Sequence, residues 1–532
     1  MNAPPEPLPR AALLDRLCAH GRFDLLVIGG GATGLGLALE AAQRGLRVAL
    51  LEAADFAAGT SSRSTKLLHG GVRYLAQGRI GLVREALHER STLLAQAPHL
   101  AQPLGFVVPT YRHRDTALYG LGLAAYDRLA GRRSLGRTER LGAEAVARLL
   151  PGVQREGLHG GVRYWDAQFD DARLAVALAR SAWRHGAALL NHCSVTALAH
   201  DDHDRLTGVV ARDHASGATL HLAAGCVVNA TGVWVDRLRA LDRGPTAPMV
   251  RPSQGVHLVV DAGHLGGEHA LLVPRTADGR VLFAVPWLGK VLLGTTDTPC
   301  DGLAAEPRPF EHEVDFILRE AARCLQRPPT RADVRSAWAG LRPLVQPAHG
   351  EPHSTRAISR EHTVRIAPSK LVTVTGGKWT TERVMAHDVL EACAEAGLLP
   401  RRAHAWAAPL VGAAVPGAPV PLSRPPGEHL YGDEAAALHA LPGADRWLCP
   451  GLSEAMVRFA VRHEMALGVA DVLARRSRLL FLDAAAAGRV AGEVAALVAA
   501  ESGRPLDAPA LAGFKALAAR YARLGDPVST GD

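Results

Sequence analysis

The sequence of 532 residues is poor in cysteine and in aromatic residues, and both shortages exclude classes of protein. It contains seven cysteines, none of them in a C-x-x-C pair, which argues against a disulfide framework and against a structural zinc site. We therefore expect reduced thiols and no metal. Aromatic residues make up 5% of the chain and are not interleaved with clusters of basic residues, so no nucleic-acid partner is expected despite a net charge of +8.

Long apolar runs are also missing. The longest uncharged stretch, residues 403–423, is interrupted by four prolines and cannot form a membrane-spanning helix with a satisfied backbone. The first twenty residues carry Glu6 and Asp15 where an export signal would place a basic patch and an unbroken apolar stretch. We therefore expect a chain that is neither exported nor membrane-spanning.

Lysine is scarce as well, since only five of the 60 basic residues are lysines. Two of the five, Lys66 and Lys378, stand in motifs rich in serine, threonine or glycine. Lysine is a compact point charge whereas arginine is a planar fork, so its retention at these two positions indicates a need for that shape.

What the sequence does contain is typical of a mixed α/β protein. An apolar run at 24–28, a helical stretch at 33–44 and a second apolar run that ends at Glu52 predict a βαβ unit. Further strands are predicted at 226–229, 256–261, 281–285, 291–294 and 371–375, and further helices at 171–185 and 312–326. Mixed strands and helices of this kind predict an α/β fold.

The character of the chain changes near residue 396. Closely spaced prolines predict a linker over 396–428, which follows a first domain at 22–395. Beyond the linker, Ser453 is a candidate helix N-cap, and apolar pairs alternate with arginines at helical spacing. We therefore predict an all-helical C-terminal domain over 429–525.

The predicted βαβ unit carries a dinucleotide fingerprint. The pattern G-x-G-x-x-G falls on Gly29, Gly31 and Gly34, directly after a strand and at the start of a helix. The glycines permit a tight turn, and the helix N-terminus offers unpaired N–H groups to a pyrophosphate. Glu52 ends the next strand, where a carboxylate can accept hydrogen bonds from ribose hydroxyls and disfavours the 2′-phosphate of NADP.

Two later segments favour FAD over NAD. Residues 229–232 (NATG) close one apolar run, and residues 375–381 (TGGKWTT) close another before a helix. A fingerprint near the N-terminus followed hundreds of residues later by two such turns is typical of a cofactor long enough to touch several strand ends. FAD is therefore the predicted cofactor.

Six segments together resemble the FAD-dependent, quinone-linked glycerol-3-phosphate dehydrogenases. They are residues 59–75 (GTSSRSTKLLHGGVRYL), 161–173 (GVRYWDAQFDDAR), 294–297 (GTTD), 340–344 (GLRPL), 358–361 (ISRE) and 376–378 (GGK). The resemblance covers about residues 22–395 in order, and the helical tail is similar to that family's C-terminal domain. It implies a D-amino-acid-oxidase-like fold: an FAD-binding Rossmann-type domain interleaved with a substrate domain built on an antiparallel sheet, followed by the helical domain.

The resemblance also implies the residues of the site. Those implied to contact FAD are Gly29, Gly31, Thr33, Gly34, Glu52, Thr60, Ser61, Thr65, Lys66, Leu67, His69, Val195, Ala230, Thr231, Gly232, Gly377, Lys378 and Thr380. Those implied to contact the substrate are Arg73, Tyr74, Arg342, Arg360 and Lys378. The catalytic candidates are Arg342, His257 and His69.

The chemistry of arginine agrees with the implied substrate. A phosphate dianion needs charge-assisted donors, and the arginine fork matches its oxygens. Arg342 and Arg360 are therefore the expected phosphate ligands, and Arg342 precedes a proline, which favours an extended loop end. The sequence does not decide whether His257 or Arg342 contacts the reacting oxygen as the base. The chain departs from the family where it has Gln254, Cys300 and Glu382 in place of the usual lysine, tyrosine and tyrosine.

The predicted reaction is the oxidation of sn-glycerol 3-phosphate to dihydroxyacetone phosphate, with electrons passed to a membrane quinone. An oxygen-using glycerol-3-phosphate oxidase and a flavin amine or amino-acid oxidase of the same fold are the alternatives. The arginine-rich stretch that includes Arg128 and Arg140 favours peripheral contact with an anionic bilayer at the inner face of the cytoplasmic membrane. We also expect a homodimer.

Overall fold

The computed structural model describes residues 5–71, 75, 78–346, 361–404, 408–415 and 417–524. Three of the predicted substrate-binding residues, Arg73, Tyr74 and Arg360, lie outside the described residues.

The described strands belong to two large mixed sheets and one small hairpin. In chain order they are β1 (Phe23–Ile28), β2 (Val48–Leu51), β3 (Leu67–Leu68), β4 (Ala101–Thr110), β5 (Glu139–Gly142), β6 (Gly160–Phe169), β7 (Ala188–Leu190), β8 (Cys193–His200), β9 (Leu206–Asp213), β10 (Thr219–Asn229), β11 (Val250–Asp261), β12 (Ala270–Val273), β13 (Leu282–Trp287), β14 (Lys290–Gly294), β15 (Thr298–Pro299), β16 (Ser336–Val345), β17 (Thr363–Ile366), β18 (Val372–Thr375), β19 (Trp447–Cys449) and β20 (Leu452–Ser453).

The described α-helices cover both large sheets and form most of the C-terminal region. In chain order they are α1 (Arg10–Cys18), α2 (Ala32–Gln43), α3 (Ile80–Gln96), α4 (His113–Ala130), α5 (Ala143–Leu149), α6 (Asp171–Arg184), α7 (Val235–Arg243), α8 (Glu311–Ala322), α9 (Glu382–Glu395), α10 (Ala435–His439), α11 (Glu454–His463), α12 (Leu479–Leu482), α13 (Ala484–Ser502) and α14 (Ala508–Ala522). None of them has the length and hydropathy of a transmembrane span.

The first sheet carries the predicted dinucleotide unit. Its parallel strands lie in the order β18, β10, β1, β2, β7, with Val27 of β1 opposite Leu50 of β2 and Val228 of β10. Five of the six residues of β1 are buried, as in parallel strands covered by helices on both faces. The predicted strand–helix–strand order is confirmed, with the helix over Ala32–Gln43.

The second sheet is largely antiparallel and brings distant segments together. Strand β11 lies between β14 and β16, so that His257 pairs with Gly294 on one side and with Trp338 on the other. The α/β class and the interleaved antiparallel sheet predicted from the sequence are confirmed. The core of this sheet is apolar, and α8 covers it with buried residues that include Val314 and Ile317.

The C-terminal region, residues 428–524, is helical except at one point. Ser453 caps α11 by accepting the N–H of Met456, as predicted. The prediction of an all-helical domain is wrong at β19 and β20, which form a two-stranded hairpin around Pro450 and Gly451. Strands of two and three residues are too short to show a periodic pattern, and only the Pro-Gly turn signals them.

The proline-rich stretch is ordered along the surface of the first region. In residues 408–415 and 417–424, Leu410, Val411 and Leu422 are buried. The Leu410 N–H donates to Gln96 O at 2.9 Å, and the Leu422 N–H donates to the Gln102 side chain at 2.9 Å. These contacts fasten the stretch that connects the two regions.

Candidate active site

One cavity of about 940 Å³ gathers most of the predicted site residues. It lies where β1, β2, β10 and β18 end and extends to β11 and β16 of the second sheet. The predicted residues that line it are Gly29, Gly31, Thr33, Glu52, Thr60, Ser61, Thr65, Leu67, His69, Val195, Ala230, Thr231, Gly232, His257, Arg342, Gly377, Lys378 and Thr380. Its size is that of a site for a large organic ligand.

The glycine turn between β1 and α2 is shaped for close approach of a ligand. Gly29 has a φ of +112°, and a Cβ at this position would lie 2.6 Å from Ala230 O. Gly31 is the N-cap of α2 and provides no capping side chain, and the first turn of α2 lines the cavity; of its backbone N–H groups, that of Ala32 donates to Ser61 Oγ at 2.9 Å. Such an end suits an anionic pyrophosphate. The turn therefore fits the predicted dinucleotide.

Glu52 is held in place at the end of β2 by the backbone. Its carboxylate accepts the N–H of Gly30 at 2.6 Å and of Ala54 at 2.8 Å. Burial raises the pKa of this carboxyl, and the two N–H donors oppose that rise. Glu52 lines the cavity at the position where the dinucleotide fingerprint predicts that the ribose binds. We call this part of the cavity the dinucleotide end.

Two predicted cofactor residues do not line the cavity. A Cβ on Gly34 would overlap the carbonyl oxygen of Gly29, so this glycine serves the packing of α2 on the turn. The Lys66 side chain is fully buried, and its Nζ donates to Asp171 Oδ2 at 2.6 Å and to Ser62 O at 2.7 Å. The prediction of Lys66 as a cofactor-binding residue is corrected, because Lys66 does not line the cavity and its amine faces a buried acid behind the cavity wall.

The environment of Lys66 explains why a compact cation stands there. Burial lowers its pKa to about 7, opposed by the charge of Asp171. The Nζ atom lies 4.7 Å from the ring centre of Trp338 and 5.4 Å from that of Trp287. An ammonium among aromatic rings gains cation–π attraction in place of water. Lys66 therefore stabilises the loop that precedes it.

His257 lies at the opposite part of the cavity, which we call the substrate end. Its Nε2 is hydrogen-bonded to Thr65 Oγ1 at 3.0 Å, and its ring stacks on Trp338 with 4.4 Å between centroids. Nδ1 is buried and has no hydrogen-bond partner among the described residues. Burial, and then the positive charges of Lys66 and Arg342, lower the pKa of His257 well below its ordinary value. The imidazole is therefore neutral at physiological pH.

Arg342 is fixed at the same end by β16 and the turn after β14. Its Nη2 donates to Thr295 Oγ1 and Thr296 O, both at 3.0 Å, and its Nη1 donates to Gln254 O at 3.3 Å. Nη1 also lies 3.4 Å from Asp297 Oδ1. A guanidinium cannot lose its proton in a protein, so Arg342 can only donate hydrogen bonds and positive charge. It cannot be the base.

The loop after β18 completes the substrate end. Gly376 and Gly377 have φ values of +84° and +73°, which glycine adopts without strain. The turn brings Lys378 to the cavity wall, together with His69 from the loop before α3. Trp379 fastens this turn to the opposite loop, since its Nε1 donates to Ser61 O at 2.9 Å.

The three departures from the family pattern lie away from the cavity. The Gln254 amide donates to Glu313 Oε2 at 2.7 Å, and the Cys300 thiol donates to Gly302 O. Glu382 begins α9 and is 1% exposed, and neither of its carboxylate oxygens has a hydrogen-bond partner among the described residues. Burial raises its pKa to about 8.

Several residues of the cavity wall have no recognisable signal in the sequence. Asp471 and Arg475 line it from the C-terminal region, and Arg63 and Glu306 line it from elsewhere. Arg475 belongs to a pattern of apolar pairs separated by arginines, which is typical of a solvent-facing stripe. Only the tertiary structure buries it.

Comparisons with known proteins agree with this geometry. Residues 24–383 match a family described as FAD dependent oxidoreductase, and residues 428–505 match the C-terminal domain of alpha-glycerophosphate oxidase. A mitochondrial glycerol-3-phosphate dehydrogenase of Arabidopsis thaliana is 39% identical, over 91% of this chain and 83% of its own. The corresponding protein of Mus musculus is 38% identical, over 93% of this chain and 73% of its own.

A solved structure is similar over almost the whole chain. It is a glycerol-3-phosphate dehydrogenase from Bacillus halodurans complexed with FAD, with a TM-score of 0.77 and 28% sequence identity. The similarity covers 98% of this chain and 99% of that one.

Proposed function

Because the chain belongs to the family of FAD-dependent glycerol-3-phosphate dehydrogenases, we propose that it oxidises sn-glycerol 3-phosphate to dihydroxyacetone phosphate with FAD as cofactor. The observation that carries the proposal is a single cavity with a glycine turn and Glu52 at one end and His257, Arg342 and Lys378 at the other. A dinucleotide cofactor and a small anion fit these two ends respectively.

The residues that would hold FAD are those of the dinucleotide end and the loop before Lys66. The glycine turn and the N-terminus of α2 would bind the pyrophosphate, and Glu52 would accept from the ribose. When bound, FAD supplies an acceptor for the hydride that leaves C2 of the substrate. Neither a histidine nor a cysteine stands at the turn beside Thr231, so acid precipitation should release all the flavin.

The substrate end provides both charge and a proton acceptor. Arg342 and Lys378 attract the phosphate dianion and orient C2. Oxidation of a secondary alcohol also releases the hydroxyl proton, and neutral His257 can accept it while Arg342 cannot. We assign His257 as the base and Arg342 as the residue that fixes the substrate.

The test is anaerobic reduction of the bound flavin. Adding glycerol 3-phosphate to the yellow protein without oxygen should bleach the flavin absorption band. Bleaching by an amino acid but not by glycerol 3-phosphate would instead assign the chain to the amino-acid oxidases of this fold.

A membrane quinone is the acceptor that we propose for the electrons, at the inner face of the cytoplasmic membrane. The support is one face of α4, where Leu118 is 66% and Leu121 is 71% exposed between Arg114 and Arg128. An apolar stripe with arginines at both ends suits the surface of an anionic bilayer. The arginine-rich stretch predicted from the sequence, which continues to Arg140, is also exposed.

Vesicle flotation tests the membrane proposal, with Leu121→Glu as the variant and Leu506→Glu, an exposed leucine that does not line the cavity, as the control. The wild type and the control should float with anionic vesicles, whereas the variant should not. Hydrogen peroxide formed in air, without reduction of a quinone analogue, would instead identify an oxidase. The expected homodimer stays a prediction, which sedimentation equilibrium tests.

A further inference from the structure

Three arginines within a stretch of four residues in the C-terminal region are buried. Arg475, Arg476 and Arg478 are 7%, 2% and 0% exposed. Burying a charged group is costly unless it meets opposite charge and hydrogen-bond acceptors. We call these three residues the arginine segment. The groups that they contact therefore indicate the role of the segment.

Two of the arginines meet at Asp55, three residues after Glu52. Arg475 Nε and Arg476 Nη1 both donate to Asp55 Oδ2, and Arg476 Nη2 donates to Asp55 Oδ1 at 3.0 Å. Asp55 is fully buried. Although burial alone raises its pKa, the charges of Arg476 and Arg475 hold it below the ordinary value. The start of the loop that runs from Glu52 to Lys66 is thus fixed from the C-terminal region.

The end of the same loop is fixed by the third arginine. Arg478 Nη2 donates to Ser62 O at 2.8 Å and to Asp171 Oδ1 at 3.1 Å. Ser62 O also accepts the Lys66 amine. The loop between these attachment points, which we call the flavin loop (residues 53–66), supplies Thr60, Ser61 and Thr65 to the cavity wall.

A third attachment comes from α14. The hydroxyl of Tyr521 donates to Glu306 Oε2 at 2.8 Å, and Glu306 Oε1 accepts Arg63 Nη2 at 2.7 Å. Arg63 belongs to the flavin loop, and both Arg63 and Glu306 line the cavity.

The C-terminal region also reaches the cavity itself. Asp471 and Arg475 line it beside Glu52, at the dinucleotide end. Asp471 Oδ1 accepts Arg475 Nη2 at 2.7 Å, and Asp471 Oδ2 is hydrogen-bonded to His192 Nε2 at 2.9 Å. These residues are held by one another and by the flavin loop, so their positions depend on the docked arrangement of both regions.

We propose that the C-terminal region is part of the FAD site: Asp471 and Arg475 contact the adenosine half of the cofactor, and Arg476 and Arg478 position the flavin loop around it. FAD binding and docking of the C-terminal region then strengthen each other, because coupling between two equilibria is reciprocal. The inference rests on the proposed function only in taking FAD as the cofactor.

Hydrogen exchange on the wild-type protein tests the coupling without a variant. Backbone amides of a docked segment exchange more slowly because exchange requires local opening. Removing FAD should speed exchange both in the flavin loop and in residues 468–478, and adding FAD back should restore the protection. Protection of the flavin loop alone would overturn the inference. If FAD protected no segment and did not bind, the proposed function itself would fail.

Arg476→Gln is the informative variant because Arg476 does not line the cavity. Arg462→Gln is its control, since Arg462 pairs with Glu501 inside the C-terminal region. The Kd of the apoprotein for FAD, measured by flavin fluorescence quenching, should rise about tenfold or more in Arg476→Gln. It should stay within about twofold in the control.

The rise in Tm that FAD produces distinguishes positioning from general stability. If Arg476 has a merely structural role, Arg476→Gln lowers the Tm of apoprotein and holoprotein equally. If Arg476 couples docking to FAD binding, the rise in Tm that FAD produces is smaller in Arg476→Gln than in the wild type. An unchanged Kd and an unchanged increment would overturn the inference. If the variant does not fold, the exchange experiment decides the question by itself.

Discussion

The two ends of the cavity are built in different ways. Apart from the Asp471 and Arg475 side chains, the dinucleotide end is formed largely by the βαβ unit from Gly29 to Glu52 and the turn at Ala230, and it acts mainly through backbone groups. The substrate end takes Thr65, His257, Arg342 and Lys378 from four distant segments, and it acts through side chains. Backbone shape is set by local sequence, whereas a side-chain constellation exists only after the sheets have assembled. A steric change at the dinucleotide end should therefore abolish flavin binding altogether, whereas changes at the substrate end should lower kcat/KM in graded steps.

The largest effect is expected for Gly34→Ala at the dinucleotide end. The new Cβ would overlap the carbonyl oxygen of Gly29, so the turn and α2 must move apart. Overpacking costs about 1–3 kcal/mol even where side chains can adjust, and backbone adjusts less. We expect the purified variant to contain no bound flavin by absorbance.

Gly492→Ala is the matched control, because a Cβ there meets nothing within 4 Å in the middle of α13. It should retain full flavin and gain up to about 1 kcal/mol of stability. Full flavin content in Gly34→Ala would show that the turn is not rigid, and the contrast between the two ends would disappear.

The next effect is expected for Glu382→Gln, behind the dinucleotide end. Glu382 has a pKa raised by burial to about 8, and its side chain packs against Gly36 of α2. Since the unfolded carboxyl titrates near its ordinary value, the wild type loses stability as pH rises from about 4.5 to about 8 and no more beyond it. The variant cannot titrate and should exceed the wild type by a few kcal/mol at pH 9.

Urea unfolding at pH 5, 7 and 9 measures this difference. The variant and wild type should be close at pH 5 and diverge towards pH 8. Glu395→Gln removes an exposed carboxylate from the same helix and should show no such trend. A difference between Glu382→Gln and wild type that does not change with pH would mean that Glu382 is charged in the folded protein.

At the substrate end, Arg342→Lys should cost about 1.5–3 kcal/mol, which is roughly tenfold to a hundredfold in kcat/KM for glycerol 3-phosphate. Lysine keeps the charge but loses the fork that bonds Thr295, Thr296 and Gln254. The Kd for FAD should not change, because the pyrophosphate site is at the other end. Steady-state kinetics and a flavin titration measure the two quantities.

Glycerol is the control substrate for this variant, because it has no phosphate. If Arg342 orients the phosphate, the loss should be confined to glycerol 3-phosphate. An equal loss on glycerol would indicate that Arg342 contacts the reacting oxygen. No loss on either substrate would show that Arg342 does not contact the substrate.

The smallest effect is expected for Thr65→Val. The hydroxyl lost is hydrogen-bonded to His257 Nε2, and one such bond contributes about 1 kcal/mol, so kcat/KM should fall about fivefold. Thr196→Val removes an exposed hydroxyl from β8 that donates to Val210 O, and its kinetics should match the wild type. Equal kinetics for all three proteins would show that Thr65 does not orient His257.

The predictions from sequence were strongest where function depends on neighbouring residues. The βαβ unit, the glycine turn and the Ser453 cap follow from local spacing, and the structure places them within a residue or two of the predicted positions. The residues of the substrate end were predicted mainly from the resemblance to a known family. No sequence spacing predicts that His257 contacts Trp338 or Thr65. The register of the sheet sets the contact with Trp338, and the packing of a loop sets the contact with Thr65.

Lys66 and Arg475 show the limit of sequence reasoning most clearly. Lys66 lies in a loop rich in hydroxyls and glycine, which is typical of a ligand-binding segment, yet its amine faces Asp171 behind the wall. Arg475 reads as part of a solvent-facing stripe, yet it lies in the cavity wall. In both cases one buried acidic partner, Asp171 for Lys66 and Asp55 for Arg475, is more than 100 residues away, so the local pattern carries no information about it.

The strand–turn–helix that receives a dinucleotide can be predicted from local sequence, because glycine conformation and hydrophobic period act over a few residues. Which charged groups face the cavity, and which are buried against one another, follows from the assembled fold and not from local sequence. The cost of burying a charge depends on its partners in space, and the fold brings Asp55 to the arginine segment across about 420 residues and His257 near Arg342 across 85.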